Sequence, residues 1–495
     1  MTSVQPTPLG SPRWVAIHSE LAQTMGLSSD WWQSPKALAC MAGNAPSPFG
    51  PHWASVYSGH QFGVWAGQLG DGRAMSMGEV DTGSQVLELQ LKGTGRTPYS
   101  RFGDGRAVLR SSIREYLCSM AMQGLGIPST QALCLVSSDD PVMRETLETA
   151  AVVCRVSPSF IRFGHFEHFS STGQHDALAS LVHHVWTHHM AQGNTLEEDA
   201  TASPSEQALA LFKEVVLRTA DLMAQWQSVG FCHGVMNTDN MSVLGLTLDY
   251  GPFQFMDAYN PSHICNHTDA HGRYAYAQQP SVANWNLLAL AHALHPLINS
   301  SEGLQDALGL YAPRFQHRMA SIWAHKLGLA PSFQTPKALE SVWPLVQGWL
   351  GMMATHRADF TLSWRGLSSL CAQLHEDGWQ ERTESLQSLS RMHLSWSMAT
   401  DPNWLDWLSR HREWLHENQQ DLSAAAQTML AINPARVLRN HLAEIAIRQA
   451  SAGDHSEVQR LQAALANPYT DDPQWAQYAE LPPQWASELH ISCSS

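Results

Sequence analysis

His233-Gly234-Val235-Met236-Asn237-Thr238-Asp239-Asn240, followed nine residues after its asparagine by Asp249-Tyr250-Gly251, is the stretch of this 495-residue chain that bears most on its fold. A polar, asparagine-rich loop leads into the apolar run Val243-Leu244-Gly245-Leu246-Thr247-Leu248, and the run delivers an Asp-x-Gly. Oxygen-bearing side chains of this kind suit a hard divalent cation. An Asn/Asp-rich turn followed by a hairpin is the other reading, and the segment alone leaves both open. Upstream, Val86-Leu87-Glu88-Leu89-Gln90-Leu91-Lys92 alternates with period two, which predicts a strand ending on a lysine. Beyond a loop at 93–106, the stretch from Ala107 to Leu117 carries apolar residues at 109, 113, 116 and 117. That is helical spacing, closed by Gly124 and Gly126 before Pro128, and it places Glu115 on the helix.

A strand lysine, a glutamate one helix later, an Asp/Asn pair and an Asp-x-Gly stand in the order of the protein-kinase catalytic parts. Each has a physical task. Lys92 places a point charge on ATP phosphates, and Glu115 holds that ammonium, because a buried lysine without a partner tends to lose its proton. The 233–240 segment is as long as the kinase loop H-R-D-x-x-x-x-N and ends on the same asparagine, but Val235 occupies the position of the base. Valine cannot accept a proton. Asp239, directly before Asn240, supplies a displaced carboxylate that can serve as base if the acceptor approaches from another side. Asn240 and Asp249 are the expected metal ligands.

Phosphate handling departs furthest from kinases, since no G-x-G-x-x-G precedes the lysine strand. Gly67-Gln68-Leu69-Gly70-Asp71-Gly72-Arg73 stands there instead. Arg73, Arg155 in the β-like run Ala150–Val156, and Arg162 are candidates to grip phosphates with their guanidinium forks. Asp104 and Gly105, in the loop 101–106, are placed to read the other end of a nucleotide. A surface salt bridge is the alternative for any one of these arginines.

The chain has 29 Lys plus Arg against 44 Asp plus Glu, a formal net charge of −15 and 44% hydrophobic residues. An acidic surface repels phosphate backbones and anionic lipid, so nucleic acid and membrane are not expected partners. With no basic start before an apolar run and no stretch of membrane-spanning length, a cytoplasmic protein is the expectation. The cysteines at 40, 118, 134, 154, 232, 265, 371 and 493 show neither CxxC pairs nor regular spacing. His183, His184, His188 and His189 share one apparent helix, where 184 and 188 stand at i, i+4; a polar helix face is the alternative to a metal pair. Residues 1–50 read as an extended arm or helical cap. Helical patterns dominate beyond 175, broken at 230–260.

The runs Tyr57-Ser58-Gly59-His60-Gln61-Phe62-Gly63, Leu69–Ala74, Leu89–Gly93, Thr97–Arg101, Asp104–Glu115, Ile161–Gly164 and His233–Ser242 resemble the selenoprotein O family of pseudokinase-like adenylyltransferases. So do Asn433-Pro434, Val437–Asn440 and the terminal Cys493-Ser494-Ser495, so the resemblance spans most of the chain. It implies an α+β, protein-kinase-like two-lobe fold. Residues 1–165 would form the arm and β-rich N-lobe, 166–340 the helical C-lobe with the catalytic and metal loops, and 341–495 a helical extension with a redox-active tail. It implies ATP bound in flipped orientation and AMP moved onto Ser, Thr or Tyr hydroxyls of proteins, with Mg²⁺ or Mn²⁺ as cofactor. Lys92, Arg155 and Arg162 would hold the phosphates and Glu115 would orient Lys92. Gly70, Gly72, Arg73, Asp104 and Gly105 would line the nucleotide pocket, Asn240 and Asp249 would bind metal, and Asp239 would be the base. A kinase transferring the γ-phosphate and a non-catalytic nucleotide-binding pseudokinase are the alternatives. Some family members carry selenocysteine in the tail, which implies a redox role for Cys493. Cys265, sixteen residues after Asp249, is its expected disulfide partner, with an unpaired tail thiol as the other reading.

Overall fold

The computed structural model describes residues 1–190, 202–376, 383–489 and 491. Its first third is built on an eight-stranded antiparallel sheet. The strands are β1 (Thr2–Ser3), β2 (Arg13–Ile17), β3 (Trp53–Ala54), β6 (Ala74–Asp81), β7 (Val86–Lys92), β8 (Ala107–Val108), β9 (Gln131–Met143) and β10 (Leu147–Ser157). They are ordered β1-β3-β6-β7-β10-β9-β2, with β8 paired to β10. A separate hairpin is formed by β4 (Ser58–Gln61) and β5 (Val64–Gln68). Residues 1–50 are therefore more than an arm or cap: β1 and β2 close opposite ends of the sheet, and three short helices lie between β2 and β3.

The register of the central strands builds the site. Lys92 on β7 stands opposite Val153 on β10, and Arg155 on β10 stands opposite Gln90 on β7. Side chains two apart along a strand share a face, so Gln90, Lys92, Val153 and Arg155 lie on one side of this strand pair. The helix Leu109–Gly124 packs against β9 and β10, as its apolar spacing predicts, and places Glu115 beneath that face. Its far side is covered by the helices Asn440–Ser451 and Ser456–Ala466.

The rest is mainly helical. The helix Pro204–Ser228 opens on a capping box, with Ser203 bonding the Glu206 N–H and Glu206 reaching back, and with Pro204 at its first position. It packs against Gln279–Ile298 and Tyr311–Lys326. Between these helices lie β11 (Phe231–Cys232), the single 3₁₀ turn Thr238–Asn240 and β12 (Gln254–Phe255), which pairs with β11. Val243–Leu248 forms no hairpin; Ser242 bridges Arg162 and Thr247 bridges Ser129, tying this segment to the sheet-bearing part. The histidine helix His175–Val185 runs into a π turn, Trp186–Met190. None of the described helices is long and apolar enough to cross a membrane.

Candidate functional site

The turn Thr238–Asn240 faces the β7/β10 strand pair across a cleft of about 680 Å³. Lys92, Glu115, Arg155, Arg162, Asp239, Asn240 and Asp249 all line it, as do Gly70, Gly72, Arg73, Asp104 and Gly105. Every residue assigned to nucleotide, metal or base from sequence thus faces one cavity.

Lys92 Nζ donates to Glu115 Oε2 at 2.7 Å and lies 3.6 Å from Asp249 Oδ1. Burial pulls the ammonium below its usual range, and Glu115 and Asp249 oppose that. Arg155 Nη1 bonds Glu115 Oε1 at 3.2 Å and also Asp249 Oδ1, while its Nη2 bonds Gln90 Oε1. Arg162 Nη1 bonds Asp249 Oδ2 and the Asp239 carbonyl at 2.8 Å. Burial by itself would raise the Asp249 carboxyl, but Arg162, Arg155 and Lys92 hold it well below the usual carboxylate range. Asp249 thus stays ionised, at a left-handed φ of 59°. Both arginines are 2% exposed, so they are structural ion-pair partners as well as candidate phosphate ligands. Burial lowers Arg73 from its usual value.

Asp239 is 7% exposed, and one oxygen accepts from Gln61 Nε2 at 3.1 Å. Its Oδ1 has no hydrogen-bond partner. Burial pushes the carboxyl up to about 6 against the opposing pull of Gln61 and Arg162. Asn240 spends its amide N–H on the Val235 carbonyl at 3.0 Å, which leaves its side-chain oxygen as the ligand end. The hairpin β4/β5 is docked on this turn: His60 N–H donates to Thr238 Oγ1 at 2.7 Å and Phe62 N–H to Asn237 Oδ1 at 3.1 Å.

Asp104 stands at the other end of the cleft and is gripped by Arg144, Nη1 to Oδ2 at 2.7 Å and Nη2 to Oδ1 at 3.0 Å. That hydrogen bonding, more than any other influence, lowers the Asp104 carboxyl from its usual value. Gly105 has a packing reason to be glycine. A Cβ there would lie 2.1 Å from the Gly95 backbone, at a φ of 73°, where the loop closes on itself.

Sequence reading misses Gln61, Gln90 and Arg144. A lone glutamine or arginine carries no spacing signal. The Gly59-His60-Gln61 run is visible in sequence, but its approach to Asp239 is made by a contact 178 residues apart.

Oxygen donors from Asn240 and Asp249 fit a hard divalent cation, which commonly takes one or two side chains and completes its shell with phosphates and water. Among the described residues there is no group of three or more His, Cys, Asp or Glu able to hold a metal. That includes the histidine cluster, where the His184 and His188 rings lie 4.8 Å apart. Cys265 is buried, with Sγ 3.5 Å from the Cys232 carbonyl. Cys493 lies outside the described residues; nearby in sequence, the Ile491 carbonyl lies 3.0 Å from His267 Nδ1.

The family model described as "Protein adenylyltransferase SelO" matches residues 1–466. Several curated proteins named protein nucleotidyltransferase YdiU are similar over the whole chain. That of Variovorax paradoxus strain S110 is 49% identical over 497 residues, covering 100% of this chain and 94% of its own. That of Bordetella petrii is 49% identical over 495 residues, covering 100% and 95%, and that of Paraburkholderia xenovorans strain LB400 is 47% identical over 516 residues, covering 100% and 93%.

Proposed function

The chain belongs to the protein adenylyltransferase SelO family, and from that premise we propose that its cleft transfers AMP from ATP to Ser, Thr or Tyr hydroxyls of other proteins. It is a protein nucleotidyltransferase; the choice of hydroxyl acceptors and the residue roles below are our reading. The observation that carries it is the separation of two chemistries around one cavity. A buried cationic group, Lys92, Arg155 and Arg162, is held by Glu115 and Asp249. A partly unpartnered carboxylate, Asp239, stands beside it.

Phosphates and carboxylates compete for the same guanidinium forks, so a triphosphate takes over contacts that Asp249 makes with Arg155 and Arg162. Lys92 stays positioned by Glu115. The acceptor O–H is deprotonated by Asp239, its oxygen forms a bond to the α-phosphorus, and the bond to the bridging oxygen breaks to release pyrophosphate. Asn240 and Asp249 would hold Mg²⁺ or Mn²⁺. Such a cation supplies charge neutralisation between phosphate oxygens. Val235, at the position where a kinase carries its base, is apolar and favours this reading over γ-phosphate transfer.

The order of these parts supports a protein-kinase-like two-lobe arrangement, with 1–165 as arm and N-lobe, 166–340 as C-lobe and 341–495 as extension. The hydrogen bond between Ile491 and His267, two residues from Cys265, supports a redox pairing of Cys265 with Cys493. Peptide mapping after treatment with a disulfide oxidant is expected to find these two joined; Cys493 free, or joined elsewhere, would remove the pairing.

Incubation of the protein and a substrate lysate with ATP labelled separately at the α- and γ-phosphates tests the activity. We expect α-label alone on protein, lost in Asp239→Ala. Retained γ-label would make the protein a kinase, and no label would leave it a nucleotide-binding pseudokinase.

A further inference from the structure

Two large apolar side chains stand in water at the mouth of this polar cleft. Phe102 is 102% exposed and Met143 68% exposed, and both line the cavity. Neither exposure comes from a loosely attached segment. Phe102 follows Arg101, which has a left-handed φ of 52°, in a loop closed by Gly103 N–H to the Ser100 carbonyl at 2.8 Å and Arg96 Nε to the Gly103 carbonyl at 3.0 Å. Met143 ends β9, and its neighbour Arg144 grips Asp104 in the Phe102 loop with both terminal nitrogens. One fork thus ties the two apolar side chains to each other's segments across the mouth.

Holding a phenyl ring in water forgoes the gain of burying it, and the loop that does so is tethered at several points. An apolar, flat group entering the cleft recovers that gain. The inner end offers the opposite chemistry, with Lys92, Arg155 and Arg162 gathered around two carboxylates. A ligand that satisfies both ends has several negative charges at one extremity and a planar ring at the other. The cavity, about 680 Å³, is within the range of small-ligand sites.

We infer that Phe102 and Met143 together clamp the base of the nucleoside triphosphate: the base stacks on the phenyl ring while the phosphates run inward to the cations. A ring face takes an offset stack, and a thioether makes a favourable contact with an aromatic edge. The inference rests on the reading of the cleft as the ATP site and adds to it the residues that recognise the base. Phe102 is a binding residue here and touches none of the reacting atoms.

Calorimetric titration with Mg-ATP and, separately, with inorganic tripolyphosphate tests this on wild type, Phe102→Ala, Phe102→Trp and Met143→Ala. Tripolyphosphate senses only the cationic end. Phe102→Ala is expected to weaken ATP binding about tenfold, the scale of one base–aromatic stack, and to raise KM for ATP with kcat little changed. Tripolyphosphate affinity and melting temperature should stay at wild-type values. Phe102→Trp should restore ATP binding, and Met143→Ala should weaken it by a smaller factor. Unchanged ATP affinity in Phe102→Ala would overturn the clamp while leaving the ATP site standing. An equal loss for both ligands would also overturn it, by making Phe102 a support for the loop. Wild-type protein that bound neither ligand would overturn the parent reading and the clamp together.

Discussion

Glu88 lies four residues before Lys92 on β7, and unlike Lys92 it forms no ion pair among the described residues. It is 8% exposed, and its Oε1 has no hydrogen-bond partner. Burial pushes its carboxyl up to about 7, with Ser76 hydrogen bonding in the opposite direction. The sign follows from linkage: the folded state binds this proton more tightly than the unfolded chain, whose glutamate titrates near 4.5. The favourable contribution is complete below about 4.5 and is lost as pH rises through about 7. Glu88→Gln is neutral at every pH and keeps the shape. It is expected to match wild type in urea denaturation near pH 5 and to exceed it by roughly 2 kcal/mol near pH 8. Parallel stability curves for the two proteins from pH 5 to 8 would show that Glu88 is ionised at no such cost.

The helix Phe163–Ser171 packs against both β4 and the Thr238–Asn240 turn that carries Asp239. Gly164 is where they touch: a Cβ there would lie 2.3 Å from the Ser58 carbonyl oxygen and 3.5 Å from Asp239 Cα. Backbone cannot yield as a flexible side-chain end does. Gly164→Ala is therefore expected to push β4 and its Gln61 away from Asp239, cutting turnover at least tenfold and destabilising the fold by roughly 1–3 kcal/mol; full activity with an unchanged melting temperature would show that the contact relaxes freely. Elements were legible in sequence where one face differed chemically from the other. The alternation of β7 is the plainest case, although Glu88, Gln90 and Lys92 are buried like their leucine neighbours, if less completely. Its period reports a site face against a core face rather than water against core. β6 begins with five consecutive buried residues, Ala74 to Gly78, and so shows no period. β9 buries a continuous run and then carries Asp139, Asp140 and Pro141, which read as loop. β1 and β2, two and five residues long, are too short to show any pattern. The site was legible wherever a motif kept its residues within one loop or one strand–helix unit. Gln61 and Arg144 act across distant segments, and only folding brings them to Asp239 and Asp104.

Across the whole molecule, residues 437–465 are built into the core that carries the Glu115 helix. Val437, Leu438, Leu442, Ile447, Val458, Leu461 and Leu465 belong to the same buried cluster as Ile113, Tyr116 and Leu117 of the Glu115 helix. Polar bonds run alongside: Tyr116 Oη to Gln462 Oε1 at 2.9 Å, Arg114 Nη1 to Asn440 Oδ1 at 3.1 Å, and Gln462 Nε2 to the Ile17 carbonyl at 3.3 Å on β2. Arg439, 1% exposed, is held by Asp257 and Asp359, so the segment also grips the loop after β12. Each large aliphatic side chain returned to water forgoes roughly 1.5–3 kcal/mol, so seven of them together are worth about as much as the roughly 5–15 kcal/mol that separates a typical domain from its unfolded state. A chain ending at residue 433 is therefore expected to lack a cooperative melting transition and to bind no ATP. Leu461→Ala applies the same cause in a smaller dose and should cost about 2–5 kcal/mol. Its activity should fall in proportion to the unfolded fraction, since Leu461 does not line the cleft. A sharp transition and retained ATP binding in the chain ending at 433 would mean that the Glu115 helix is held by the sheet alone, and that the C-terminal helices are an appendage to a core complete without them.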